Sequence, residues 1–159
     1  MEIIVENHDF VSTWKDIDSD QFLLKSNNEY QKAEKITTFG SRGIFEIPTY
    51  LTVQLDENQH FLLKPIFLQY INHSCDPNVY FDLEKNELIA IKHIEINEEL
   101  TFFYPSTEWE MTQPFDCHCE TSICLKSIKG AKYIASGILT NYKLSSFIEN
   151  KTKELILTL

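Results

Sequence analysis

The sequence predicts a β-rich α+β domain, and three observations lead to that prediction. A chain of 159 residues has room for one hydrophobic core and little else. Most apolar residues before Gly130 fall in short runs rich in β-branched and aromatic side chains, separated by turn residues. After Gly130 the apolar residues recur among Lys and Glu at helical spacing. We therefore expect small sheets followed by carboxy-terminal helices.

The elements follow in order along the chain. Strands are predicted at residues 3–5, 42–47, 50–55, 78–83 and 87–94. Pro48 marks a turn between the second and third of these strands, and residues 84–86 form a hairpin between the last two. Pro65 predicts the first turn of a short helix that follows it.

The two ends of the chain carry weaker patterns. Residues 7–39 look polar and irregular. Helices are expected at 131–138 and 143–157, where they would cover an apolar face of the domain rather than form a dimer interface. The sequence leaves the oligomeric state open.

Composition excludes several classes of protein. A hydrophobic content of 43 % is too high for a disordered chain. No apolar run is long enough for a transmembrane helix, so no membrane partner is expected. The first residues lack a basic region and a cleavage site, which predicts an intracellular protein, cytoplasmic or nuclear.

The charge bears on the partner. With 14 basic against 24 acidic residues and a formal net charge of -10, the chain would repel a phosphate backbone, so no nucleic acid is expected. A basic polypeptide would be attracted instead. The simpler interpretation is that the acidic excess keeps a small protein in solution.

Four cysteines form a candidate metal site. Three have the spacing Cys117-x-Cys119-x4-Cys124, and Cys75 is the only other thiol. Four thiolates suit one tetrahedral zinc ion. The alternatives are two disulfides, with three possible connectivities, or free thiols. The missing secretory leader favours zinc, because structural disulfides belong to oxidising compartments.

Three motifs resemble a known family. Residues 72–78 read Asn-His-Ser-Cys-Asp-Pro-Asn, residues 99–104 read Glu-Leu-Thr-Phe-Phe-Tyr, and residues 41–45 read Ser-Arg-Gly-Ile-Phe. In this order, and followed by the cysteine cluster, they resemble SET-domain protein lysine methyltransferases with a post-SET zinc tail. The resemblance implies a fold of small curved sheets with a pseudoknot-like arrangement. It divides the chain into a flanking segment (1–39), a SET core (40–106), a post-SET zinc segment (107–130) and a helical extension (131–159).

The resemblance also implies an activity and a set of site residues. The activity is S-adenosylmethionine-dependent methylation of an accessible lysine on a basic protein substrate. One zinc ion would bind Cys75, Cys117, Cys119 and Cys124, and Tyr104 would be the catalytic residue. The implied cofactor-binding residues are Ser41, Arg42, Gly43, Asn72, His73, Tyr104 and His118. Phe102 and Tyr70 would line the substrate channel.

Taken without the resemblance, two of these residues have plainer interpretations. His73 would be a structural histidine, and Tyr104 a core or rim residue at the end of a strand. Glu98 and Glu99 face opposite sides of a strand, so we expect exposed charges or hydrogen-bond acceptors rather than a catalytic pair.

Departures from the family pattern support other functions. Phe103 stands where the family commonly has Asp, Pro105 where Gly is usual, and Ser41 in place of the first Gly. One alternative is therefore a catalytically weakened SET-like module that binds cofactor or peptide without efficient methyl transfer. Another is a zinc-stabilised interaction domain without a cofactor.

Overall fold

The computed structural model describes all residues, 1–159, as a β-rich chain of small sheets with few helices, as the sequence predicts. The chain forms two compact units. The first contains Met1–Gly40, Leu63–His73 and Pro77–Phe102, and the second contains Ser41–Leu62, Ser74–Asp76 and Phe103–Leu159. No helix is long and apolar enough to cross a membrane.

The first unit contains two three-stranded sheets and one strand pair. Their strands are β1 (Glu2–Asn7), β2 (Val11–Asp16), β3 (Gln21–Ser26), β4 (Lys35–Thr38), β8 (Asn72–His73), β9 (Val79–Asp82), β10 (Glu87–Ala90) and β11 (Thr101–Phe102). The sheet orders are β1-β2-β3 and β4-β10-β9, all antiparallel, whereas β8 and β11 pair in parallel. A 3₁₀ turn at Ile66–Tyr70 follows Pro65. The core of this unit combines aliphatic side chains such as the fully buried Leu24, Leu68, Leu88 and Leu100 with buried phenylalanines.

The second unit contains the remaining strands and the helices. Its elements are β5 (Gly40–Phe45), β6 (Val53–Asp56), β7 (Gln59–Lys64), β12 (Phe115–Asp116), β13 (Ser127–Ile128), α1 (Ser136–Leu139) and α2 (Ser146–Leu157), with 3₁₀ turns at Tyr104–Ser106 and Ala131–Tyr133. The three-stranded sheet has the order β5-β7-β6, and its residues from 41 to 62 belong to this unit. The strands β12 and β13 form a separate pair. The side chain of Ser145 caps α2 by accepting a hydrogen bond from the Ile148 N–H.

The predicted elements agree with the structure in part. The hairpin β9–β10 is confirmed, and its turn includes Asn86 with a positive φ of 54°, a conformation that Asn tolerates. The expectation of irregular structure at 7–39 was wrong, because β2, β3 and β4 lie there. The helix expected at 131–138 is instead a 3₁₀ turn followed by the single-turn α1.

Candidate functional site

The four cysteines meet in the second unit. The hairpin β12–β13 carries Cys117, Cys119 and Cys124 between its strands, and the four Sγ atoms, including that of Cys75, lie within 4.8 Å of one another. The Sγ atoms of Cys75 and Cys117 are 3.9 Å apart, and no disulfide forms. A tetrahedral zinc site with Zn–S bonds of about 2.3 Å separates its sulfur atoms by about 3.8 Å. The donor set and its spacing therefore fit one zinc ion.

Cys75 is the most enclosed of these thiols. It is fully buried, and the Leu125 N–H donates to its sulfur at 3.3 Å. Burial raises the pKa of the Cys75 thiol, because a thiolate is poorly solvated there. A bound cation would reverse this effect by stabilising the thiolate.

Tyr142 joins the carboxy-terminal residues to this cluster. Its hydroxyl donates a 2.7 Å hydrogen bond to the Cys75 carbonyl, and its ring stacks on Phe103 at 3.7 Å with an interplanar angle of 7°. Phe103 is buried in a core with Ala131, Leu139 and Ile148. The residue that departs from the family pattern thus has an apolar environment, which the extension provides.

Tyr104 opens the 3₁₀ turn that follows Phe103. Its carbonyl accepts hydrogen bonds from the backbone N–H groups of Thr107 and Glu108, both at 3.1 Å. Its half-buried side chain contacts Phe115 edge to face, with ring centroids 6.0 Å apart. Pro105 is accommodated because the first positions of a helical turn need no N–H donor.

Asn72 lies in the first unit on β8. Its side-chain NH₂ group donates to the Phe22 carbonyl at 3.0 Å and to the Glu99 carboxylate at 3.1 Å. These two bonds use both amide hydrogens, so the side chain offers a ligand its carbonyl oxygen. Burial raises the pKa of Glu99, although the hydrogen bond from Asn72 opposes that shift. Glu99 is thus a hydrogen-bond acceptor, as is Glu98, which accepts from Asn78.

His73 follows Asn72 on the same strand, where it pairs with Phe102. Burial lowers the pKa of its imidazole to about 4, so the ring is neutral at neutral pH. A neutral, half-buried imidazole suits the structural interpretation of this side chain.

The other predicted residues differ in exposure. Ser41 and Gly43 lie on β5 in the second unit, where the Gly43 N–H donates to Ser41 Oγ and Gly43 has a φ of 134° that side chains rarely adopt. Arg42 and His118 are exposed. In the first unit, Tyr70 stacks on Phe22 at 4.7 Å, and the buried Phe102 meets Phe81 edge to face at 4.9 Å.

Sequence reasoning missed Phe22 and Tyr142. The apolar run at residues 22–24 is a usable strand signal, but nothing in the sequence shows that the Phe22 carbonyl binds Asn72. Tyr142 lies outside every motif, so its contacts could be found only in the structure.

Comparison with known proteins identifies the family. The SET-domain profile matches residues 2–105. Methyltransferase flvH of Aspergillus flavus is 32 % identical over 156 residues, covering 89 % of this chain and 87 % of that protein. The chain therefore belongs to the SET-domain family.

Two further similarities are partial. Histone-lysine N-methyltransferase SET5 of Eremothecium gossypii is 44 % identical over 41 residues, which are 24 % of this chain and 8 % of that protein. The methyltransferase domain of human histone-lysine N-methyltransferase SETMAR is similar with a TM-score of 0.49 and 14 % identity, over 81 % of this chain and 58 % of that chain.

Proposed function

We propose that this protein is an S-adenosylmethionine-dependent protein lysine N-methyltransferase that acts on a basic protein substrate. The observation that carries the proposal is membership of the SET-domain family together with the intact motif at residues 72–78. The net charge of -10 supports it, because a negative field raises the local concentration of lysine-rich chains.

Asn72 is the central cofactor residue in this proposal. Its carbonyl oxygen, fixed by the bonds to Phe22 and Glu99, can accept a hydrogen bond from the ammonium group of the cofactor's methionine part. The chain's other proposed cofactor contacts are the backbone of His73, the β5 residues Ser41, Arg42 and Gly43, Tyr104 and His118. When bound, S-adenosylmethionine supplies a methyl group on a sulfonium, and a nucleophilic nitrogen takes this methyl group in line while the neutral thioether leaves.

Tyr104 is the proposed catalytic residue. A lysine amine attacks only when it is neutral, yet its ordinary pKa is about 10.4, so it must lose its proton to water before the N–C bond forms. The Tyr104 hydroxyl would orient the neutral amine, while its backbone is fixed by Thr107 and Glu108. Phe102 and Tyr70 are the proposed channel residues.

The four cysteines are the proposed site of one structural zinc ion, held by the post-SET segment 107–130 and Cys75. The sulfur–sulfur distances support this, since they match those of a tetrahedral zinc site with four thiolates. Through Tyr142, the zinc site would also anchor the extension at 131–159.

The alternative is a catalytically weakened SET-like module. Its supporting features were Phe103, Pro105 and Ser41, and the packing of Phe103 on Tyr142 together with the place of Pro105 in a 3₁₀ turn accounts for two of them structurally. A module of this kind would bind S-adenosylmethionine without transferring its methyl group.

The test is methyl transfer by zinc-loaded protein from labelled S-adenosylmethionine to a lysine-rich protein mixture. We expect the wild type to label lysine, and Tyr104→Phe to lower turnover while keeping cofactor affinity, because only the hydroxyl is lost. Full activity in Tyr104→Phe would remove the catalytic assignment. Cofactor binding without any transfer by the wild type would support the weakened module.

A further inference from the structure

Glu108 is a partly buried residue that no motif includes. Its Oε1 accepts a 3.1 Å hydrogen bond from the backbone N–H of Gln54 on β6 and lies 3.3 Å from the Thr107 hydroxyl. In return, the Trp109 N–H donates at 3.0 Å to the side-chain oxygen of Gln54. We call these two reciprocal hydrogen bonds the Gln54–Glu108 clamp.

The clamp is deeply placed and costly to break. Gln54 is 7 % exposed and Thr107 is 1 % exposed, so a donor or acceptor that loses its partner here cannot turn to bulk water. An unpaired buried polar group carries the full penalty of its lost hydration. The Nε2 group of Gln54 also donates to the Asp56 carbonyl, which fixes the side chain that receives the Trp109 N–H.

The clamp is directly connected to the turn that carries Tyr104. The backbone N–H groups of Thr107 and Glu108 both donate to the Tyr104 carbonyl. Glu108 thus binds β6 with its side chain and Tyr104 with its backbone. A shift of Glu108 away from Gln54 would move the donors that hold the Tyr104 carbonyl.

From this geometry we infer that Glu108 is a positioning residue, which fixes the Tyr104 turn on β6 for methyl transfer. The inference rests on the proposed function. The Glu108 side chain binds the Gln54 N–H and its backbone N–H binds the Tyr104 carbonyl, so it acts on Tyr104 through the backbone. Small displacements of a catalytic group are known to reduce rates by about a hundredfold.

The test compares two substitutions at Glu108 with a matched control. Glu108→Leu removes the acceptor for the Gln54 N–H, whereas Glu108→Gln retains an acceptor oxygen of nearly the same shape. Glu110→Gln makes the same carboxylate-to-amide change two residues along, where the side chain is exposed and pairs with Lys132. We expect Glu108→Leu to lower kcat by about tenfold to a hundredfold, with KM and the Kd for S-adenosylmethionine within about twofold. Glu108→Gln should restore most of kcat, and Glu110→Gln should match the wild type.

Amide hydrogen exchange gives a readout that does not depend on activity. In Glu108→Leu, exchange should accelerate at Gln54, Thr107 and Glu108, while the amides of the β9–β10 hairpin keep wild-type rates. If Glu108→Leu does not fold, Gln54→Met removes the acceptor for the Trp109 N–H and the donor to the Asp56 carbonyl, but keeps the backbone N–H that binds Glu108. Exchange at Trp109 should then accelerate, with a smaller loss of kcat.

The outcomes separate this inference from the proposed function. Faster exchange at these amides with unchanged kcat would overturn the positioning role, and unchanged exchange would overturn the clamp itself. A wild type that transfers no methyl group would refute the proposed function, and with it the role of Glu108 in that reaction, whereas the exchange rates would still report on the clamp.

Discussion

Replacing Glu108 by Gln is expected to change how the stability of the protein depends on pH. Burial raises the pKa of the Glu108 carboxyl from 4.5 to about 7, although hydrogen bonds from Gln54 and Thr107 oppose the shift. A raised pKa means that the folded protein holds the proton more tightly than the unfolded chain does. The contribution of protonated Glu108 to the free energy of unfolding is therefore fully present below about pH 4.5, and it is lost as the pH rises through about 7.

The size of the effect follows from that difference in pKa. It corresponds to about 3 kcal/mol of unfolding free energy lost between pH 4.5 and pH 8. Among the neighbouring groups, His60, the cross-strand partner of Gln54, acts in the opposite direction: burial lowers the pKa of His60, so its contribution to stability rises with pH. The nearby charged side chains form the pairs Lys151–Glu57 and Lys132–Glu110.

The assay is urea unfolding of the wild type and Glu108→Gln at a series of pH values between 4.5 and 8. Subtracting one curve from the other removes the contribution of every other titrating group, including His73 and the cysteines. Between pH 4.5 and pH 8, the free energy of unfolding of Glu108→Gln should rise by about 3 kcal/mol relative to that of the wild type. A difference that stays constant with pH would show that Glu108 titrates normally, and the assigned burial of its carboxyl would be wrong.

Three further predictions concern the zinc site, the extension and the channel. Purified reduced protein should contain about one equivalent of zinc, and a chelator should lower its melting temperature; elemental analysis that finds no zinc would contradict the assignment of the cysteines. Tyr142→Phe should cost about 1 kcal/mol of unfolding free energy, because it removes the hydrogen bond to the Cys75 carbonyl but keeps the stacking on Phe103; unchanged urea midpoints would refute this. Phe102→Tyr should restrict the product toward monomethyl-lysine, because the added hydroxyl occupies space at the proposed channel; mass spectrometry of a methylated substrate checks this, and a wild type that makes only monomethyl-lysine would contradict it.

The sequence predicted the local features of the fold best. The hairpin at residues 79–90 has apolar and aromatic residues on both sides of a turn that contains Asn, and this pattern needs no distant partner. In contrast, β2 carries Ser, Thr, Lys and Asp, and β3 carries Gln, Lys and Ser. This segment looks irregular until β2 pairs with β1 on one side and with β3 on the other. Propensity is a weak guide where sheet contacts decide the structure.

In the candidate site, too, only part of the arrangement could be predicted. The cysteine spacing predicted the cluster of four thiols, because the number and type of the ligands can be read from the sequence. The Gln54–Glu108 clamp joins residues 54 positions apart, and the Tyr142–Cys75 bond joins residues 67 positions apart. No local pattern encodes contacts of that range, so they could not have been found before the structure.

Calorimetric titration of S-adenosylmethionine into zinc-loaded wild type and Asn72→Ala tests the central proposal most directly. We expect one site on the wild type and an affinity about tenfold to a hundredfold lower in the variant, because a hydrogen bond to a charged ligand contributes about 1.5–3 kcal/mol. Circular dichroism should show that Asn72→Ala remains folded. Equal affinity in the two proteins, or no binding to the wild type, would contradict the assignment of residues 72–78 as the cofactor site.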